Sequence, residues 1–539
     1  MNARGVNMLV FRSGNFWRRS LKARTACCRL LMLTIGLSAQ QQRFDGRPWR
    51  HHIEVLADDS MEGRGTGKPG LQRAEAYVVD ELQKANLIPA GVDGYYQPVT
   101  LVSREIVEKD CDAVLIRAGK SELLTIGTDA YFSALHDLAP TVDAPLVFVG
   151  YGLRVPEKNI DDFAGINLRG KVAVAIPAVP EGVDGPIAVL ANSRRQQQYP
   201  EMGLAGWIWL QPPGPGWSAS VVASRFPAMD LPSEDAGGSR QIRMTLNSAR
   251  AEALFEGTGH TTAELFALGN EHKPLPHFDL PVSIRARTHT IKTAVQSANV
   301  IAKLEGSDPK LKNEYLVLSA HIDHLGVGDA VNGDRIYNGA IDNASGVAAL
   351  IDLADQFKRE GVRPKRSVLF VFFTGEEKGL LGSKYFTRHP TVDARSIIAD
   401  VNVDGIHALA PLTSVLVLGQ DDSTLGDAAA RAITSQRVAV ASDPNNRGIC
   451  CSDQYSFIER DIPAVKLDID FPGESNKVML DWVRERVHKP ADDAHQTLDL
   501  QAAGKYEEIL WRLVLDVGNA VHRPEWKPTS IYHRRYSTR

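Results

Sequence analysis

LVLSAHIDHLGVG (residues 316–328), YNGAIDNASGVAALIDLADQF (337–357) and SVLFVFFTGEEKGLLGS (367–383) follow one another in the middle of the chain. Each is an apolar run that stops abruptly at acidic or imidazole side chains. Residues 316–320 read as a short buried strand, with His321 and Asp323 just past its end. Residues 368–373 repeat the arrangement, with Glu376 and Glu377 beyond. Between them, residues 344–357 place apolar side chains at helical spacing, so the order is strand, loop, helix, strand. That order predicts an α/β sheet with parallel strands, whose ligands bind at the carboxyl ends. Clusters of His and carboxylate would then meet at one edge, as a metal site.

Working outward, the chain has 539 residues, too many for one ordinary domain. At 43% hydrophobic and 23% charged it can bury a large core, and a formal charge of -4 leaves no basic excess for nucleic acid. Near the N-terminus, Arg12, Arg18, Arg19, Lys22, Arg24 and Arg29 precede the apolar run 30–37 and the small residues Ser38 and Ala39. This is the pattern of a secretory signal peptide, and the run is shorter than the ~20 apolar residues of a membrane span. Cys111, Cys450 and Cys451 remain beyond it, an odd number that implies no disulfide framework. Adjacent Cys450 and Cys451 are read either as a vicinal disulfide or as two buried thiols.

Leu71, Ala74, Tyr77, Val78, Leu82 and Ala85 form a helical stripe after the loop EGRGTGKPG (62–70). That loop lacks the GK[ST] ending of a phosphate cradle and reads as a structural turn. Residues 111–276 change character: short β-like runs at 144–149, 171–176 and 207–210 alternate with Pro- and Gly-rich turns, as in an inserted β-rich domain. The α/β pattern resumes near Leu280 and ends on a helix whose Tyr506, Leu510, Leu513 and Val517 are core positions. The tail beyond Pro524 is basic and is expected to be loosely held.

Zinc prefers nitrogen and carboxylate-oxygen ligands. Strand-end placement nominates His321, Asp342, Glu377, Asp404 (past IIADVNVDG) and His488 (in RVHKPADD). Two ions need a bridging carboxylate, and Asp342 is the natural one. His321 and Asp404 would complete one ion and Glu377 and His488 the other. Glu376, beside a ligand, is placed to move a proton as general base, and Asp323 to orient His321. Taken singly, each has a blander reading: Asp342-Asn343 as a helix N-cap, Glu376-Glu377 as a solvated face, Asp404 and His488 as loop residues. Their joint order past successive apolar runs outweighs these.

SAHIDH, GAIDNASG, TGEEKGLLGS, NVDG and HKPADD, in this order, resemble the co-catalytic di-zinc peptidases related to bacterial leucyl aminopeptidases and glutamate carboxypeptidase. The likeness covers about 280–521, and DDFAGINLRGKVAV (161–174) resembles a protease-associated (PA) domain. The resemblance implies an α/β fold with a mixed, largely parallel sheet flanked by helices and a β-rich insert. It implies two Zn(2+) held by His321, Asp342, Glu377, Asp404 and His488, with Glu376 as base and Asp323 as orienter. The Asp342–Asn343 peptide bond is expected to be cis, and residues 452–465 are expected to line the substrate pocket.

The resulting boundaries are a signal peptide at 1–39, the start of the catalytic domain at 40–110, the insert at 111–279, the catalytic domain at 280–523 and a basic tail at 524–539. The expected activity is that of an exported, secreted or periplasmic aminopeptidase. It would act on peptides or proteins through a metal-bridging hydroxide, with neither nucleic acid nor a stable membrane anchor. The alternative is a carboxypeptidase or glutaminyl cyclase on the same scaffold, for which Arg447 is a carboxylate-binding candidate. Val487 stands where many members carry a Tyr that helps hold the oxyanion, with Tyr455 the candidate substitute, and Gln454 replaces the usual pocket His. Losing one such donor costs ~2.7–4 kcal/mol of transition-state stabilisation.

Overall fold

The computed structural model describes residues 43–183, 185–198, 202–212, 216–232, 240–442 and 451–536. The expected signal peptide, Arg447 and Cys450 lie outside them; Cys451 is disulfide-bonded. Two large sheets dominate. The larger follows the spatial order Ala228–Asp230, Tyr96–Ile106, Thr290–Leu304, Ser367–Phe373, Tyr315–His321, Ile397–Asn402, Ala464–Asp470, Ser414–Leu418 and Ala439–Ala441. Its four central strands, Ser367–Phe373 through Ala464–Asp470, are mutually parallel, whereas Thr290–Leu304 and Ser414–Leu418 join them antiparallel. Ser367–Phe373 and Ile397–Asn402 are buried at every residue. That burial explains their continuous apolar lettering: helices cover both faces of a parallel sheet.

The helices Pro69–Lys84, Ser345–Glu360 and Leu500–Asn519 bury the stripes read from the sequence, including Leu71, Ala74, Val78 and Leu82 on the first and Tyr506, Leu510, Leu513 and Val517 on the last. The stripe of the last helix packs in the same core as Phe357 of the middle one, whose ring stacks on Trp511 at 4.2 Å.

The smaller sheet has eight strands, from Asp112–Arg117 to Phe278–Arg287 in the chain, with its own apolar core. Two boundaries shift. Phe278–Arg287 pairs with Asp112–Arg117 and Thr141–Phe148, so the insert runs to Arg287 rather than 279. Conversely, Ala228–Asp230, inside the expected insert, adds an antiparallel strand to the larger sheet. The C-terminal tail is also corrected. It docks through Tyr532 and Ser530, both buried, because the Ser530 hydroxyl donates to Asp422 and Trp526 Nε1 to Asp461.

One buried pair sets a pH dependence. Glu507 and Asp352, on the two packed helices, are both fully buried, with Arg359 donating to Asp352 Oδ1 at 3.0 Å. Burial pushes the Asp352 carboxyl up to about 6 and Glu507 well above its usual range, with Asp352 adding to the latter. A carboxyl raised in the folded state adds stability below its unfolded pKa and loses it as pH rises through the folded value. Glu507→Gln, which resembles the protonated acid, is therefore expected to stabilise the protein by about 1–3 kcal/mol at pH 8. The gain should vanish towards pH 4, as read by urea unfolding at both values.

Candidate metal centre

Three of the four parallel strands deliver candidate donors at their carboxyl ends. His321 is the last residue of Tyr315–His321, Glu377 follows Ser367–Phe373, and Asp404 follows Ile397–Asn402. Asp342 lies in the turn before the helix Ser345–Glu360, and His488 follows the helix Asn476–Glu485. The five converge. His321 Nε2 lies 3.2 Å from Asp342 Oδ1 and 3.2 Å from Asp404 Oδ1. His488 Nε2 lies 3.2 Å from Asp342 Oδ2 and 3.5 Å from Glu377 Oε2. Asp342 thus turns one oxygen to each half, as a bridging carboxylate must.

These spacings test the fit to zinc. Ligands at about 2.0–2.1 Å around a tetrahedral ion are separated by about 3.3 Å, the edge of the tetrahedron. All four separations match that edge. His321, Asp342 and Glu377 also lie close enough to share an ion. The charge balance agrees. Burial opposes an imidazolium at His321, but Glu376 and Asp404 outweigh it and hold the ring well above its usual range. A bond to Asp342 raises His488 to about 9. The carboxylate field that favours a proton on each imidazole is the field that favours a cation between them. The residues fit zinc.

The backbone around the donors is held by residues the motif reading left unassigned. Asp492, in HKPADD, accepts from the backbone N–H groups of Ile341 (3.0 Å) and Asp342 (3.0 Å) and from Gln496 Nε2 (2.6 Å). Asn343 Oδ1 accepts from Gly346 N (2.9 Å) and Gly405 N (3.0 Å), tying the Asp342 turn to the Asp404 loop. The helix start is therefore served by Asn343, which frees the Asp342 carboxylate for the site. The Asp342–Asn343 peptide bond is cis, as expected.

Arg64, in the loop read as a structural turn, is fully buried. Its guanidinium donates to the carbonyls of Ile322 (2.9 Å), Leu56 (2.7 Å), Asn338 (2.6 Å) and Gly339 (2.8 Å). Burial lowers it only to about 10, so it stays charged beneath Asp342 and Asp323. Lys466, on the strand next to Asp404, stands 3.6 Å from Asp404 Oδ2 and 3.2 Å from Asp468 Oδ1. Burial opposes ionisation of Asp404, yet Lys466 and His321 hold it below the usual carboxylate range.

Two expectations change in detail. His321 Nδ1 pairs with the backbone oxygen of Asp323 at 3.1 Å, while the Asp323 carboxylate stands at 4.0 Å. That carboxylate is engaged elsewhere, accepting from the Thr66 hydroxyl (2.7 Å) and from Glu376 N (3.1 Å). Asp323 therefore positions His321 through its main chain and Glu376 through its side chain. Tyr455, the suggested substitute for the residue at Val487, belongs to the buried apolar cluster that includes Ile301, Phe373 and Phe457.

The fold gathers a zinc-type donor set at the carboxyl edge of its parallel strands. Residues 299–514 match the model of Peptidase family M28. The chain is 35% identical over 113 residues to a "Vacuolar membrane protease" of Candida glabrata, covering 21% of this chain and 10% of that protein. It is 34% identical over 128 residues to a "Probable zinc metalloprotease" of Pyricularia oryzae, covering 24% and 23%. The chain thus spans about a tenth to a quarter of the length of these curated relatives. Among solved structures it resembles the aminopeptidase from Aneurinibacillus sp. strain AM-1 in fold, with a TM-score of 0.53 at 17% identity over 91% of this chain and 96% of that one. Among the described residues, no helix is long and apolar enough to cross a membrane.

Proposed function

We propose that the protein is an exported di-zinc aminopeptidase that removes N-terminal residues from peptides. The observation that carries this reading is the convergence of five donors at tetrahedral-edge spacing around a bridging Asp342, with Glu376 beside them. His321, Asp404 and Asp342 would hold one ion, and Asp342, Glu377 and His488 the other. When bound, the ions polarise the scissile carbonyl and acidify water.

The chain's own residues supply the rest. Glu376, anchored at its N–H by Asp323 Oδ1, takes the proton of the attacking water and hands it to the departing amine. Burial raises the Glu376 carboxyl well above its ordinary range, which makes it a strong proton acceptor when ionised. Asp404, held ionised, gives the site negative charge that suits a substrate α-ammonium. Export rests on the basic and apolar N-terminal pattern. The insert is proposed to be a PA-like module that screens access. In support, Leu190 of its helix Gly185–Gln198 packs in the apolar cluster that contains Tyr455 and Phe457 of the pocket stretch.

The test is mass spectrometry of matched peptides with free and blocked N-termini, with and without a chelator. Stepwise, chelator-sensitive trimming of only the free N-terminus is expected. Loss from the other end, or cyclisation without cleavage, would replace the aminopeptidase reading with carboxypeptidase or glutaminyl-cyclase chemistry.

A further inference from the structure

Among the described residues of the helix Asn476–Glu485, which leads into His488, Trp482 alone is buried. Its ring meets the imidazole of His407, in the Asp404 loop, edge-on at 4.6 Å. Its N–H points elsewhere. Trp482 Nε1 donates to Gln496 Oε1 at 3.0 Å, and both side chains are buried. Gln496 Nε2 in turn donates to Asp492 Oδ1 at 2.6 Å and to the Asp493 carbonyl at 2.9 Å. Asp492, fully buried, accepts from the N–H groups of Ile341 and Asp342, both at 3.0 Å. An unbroken series of hydrogen bonds thus runs from the indole to the main chain of the bridging residue.

The series is directional. An indole N–H can only donate, and Asp492, which already accepts from two backbone N–H groups, takes a donor from its third partner. The Gln496 amide between them therefore has one satisfactory orientation, with oxygen towards Trp482 and nitrogen towards Asp492. Turned the other way, it would set N–H against N–H and oxygen against oxygen in a buried place, which is costly. We infer that Trp482 and Gln496 are positioning residues of the metal centre. Trp482 selects the orientation of the Gln496 amide, Gln496 holds the Asp492 carboxylate, and Asp492 fixes the main chain of Asp342. This rests on the zinc reading above. Outer partners that orient a ligand typically change metal affinity about 10–100-fold. Asp342 turns one oxygen to each half of the site, so a loss along this path falls on both ions together. Loosening of the helix that leads into His488 would instead fall on one ion.

The experiment is zinc titration of the metal-free protein against a chromophoric chelator, for the native chain, Trp482→Phe, Gln496→Met and the double variant. Urea unfolding of each metal-free chain is measured alongside. Phenylalanine keeps an aromatic ring against His407 but has no N–H, and methionine keeps the length of glutamine without its amide. The native protein is expected to bind two ions. Gln496→Met should weaken both about 10–100-fold. Trp482→Phe should weaken both about 3–10-fold, the worth of one hydrogen bond. The double variant should bind no more weakly than Gln496→Met, because Trp482 acts through an amide that is already gone. Native affinity in either single variant, weakening of one ion only, or losses that add in the double variant would overturn the inference alone. If Gln496→Met fails to fold, Trp482→Phe still decides by whether both ions weaken. A native protein that binds no zinc would overturn the proposed function with it.

Discussion

Replacing Glu376 by glutamine is expected to lower kcat by about 10²–10⁴-fold, the usual contribution of a positioned general base, without loss of bound zinc. The amide keeps the size of the side chain but cannot take a proton from water. The neighbouring donors are untouched, since Glu376 meets Asp323 through its backbone N–H rather than its carboxyl group. KM for a good substrate should change little, because the proton moves only as the transition state is approached. The measurement is steady-state kinetics together with zinc per chain. Full activity with full zinc would remove Glu376 from the proton-transfer role. Loss of zinc would show instead that the carboxylate is needed to hold the metal.

The second large effect is structural. Arg64→Met is expected to destabilise the protein by about 4 kcal/mol or more, because four buried carbonyls each lose a donor together. Three of those carbonyls, on Ile322, Asn338 and Gly339, belong to the segments that carry Asp323 and Asp342, so zinc affinity should fall in parallel. Arg64→Lys keeps the charge but not the planar fork, and should recover only a small part of the stability. Urea unfolding of the metal-free protein measures the first effect, and chelator competition the second. A variant with native stability and weakened zinc would mean that Arg64 acts mainly through its charge rather than its hydrogen bonds.

Most of the donor set is legible in the sequence because its signal is local. A strand in a parallel sheet is apolar on both faces, so its carboxyl end is marked by the first polar side chains. His321, Glu377 and Asp404 each stand at or just past such an end. His488 carried no strand signal of its own and was legible only through its place in the series.

The supports were not legible, because their partners are distant in the chain. Arg64 reaches Ile322 across 258 positions and Asp492 reaches Ile341 across 151. No periodicity or short motif encodes such pairings. Residues 62–70 looked like a turn because turn geometry was all that their spacing expressed. The extension of the insert to Arg287 was hidden for a related reason. Phe278–Arg287 and Thr290–Leu304 are both β-like, and only hydrogen-bond pairing assigns them to different sheets.

By itself, then, the amino-acid sequence determined the central order of strand, loop, helix and strand and marked the candidate donors, most of them by the runs of residues around them and His488 by its place in the series. Tertiary structure alone decided which Asp323 atoms face His321 and Glu376, which buried cations hold the loops, and which way the Gln496 amide turns between Trp482 and Asp492. Those choices depend on a few tenths of an ångström between segments that meet only when the sheet is assembled.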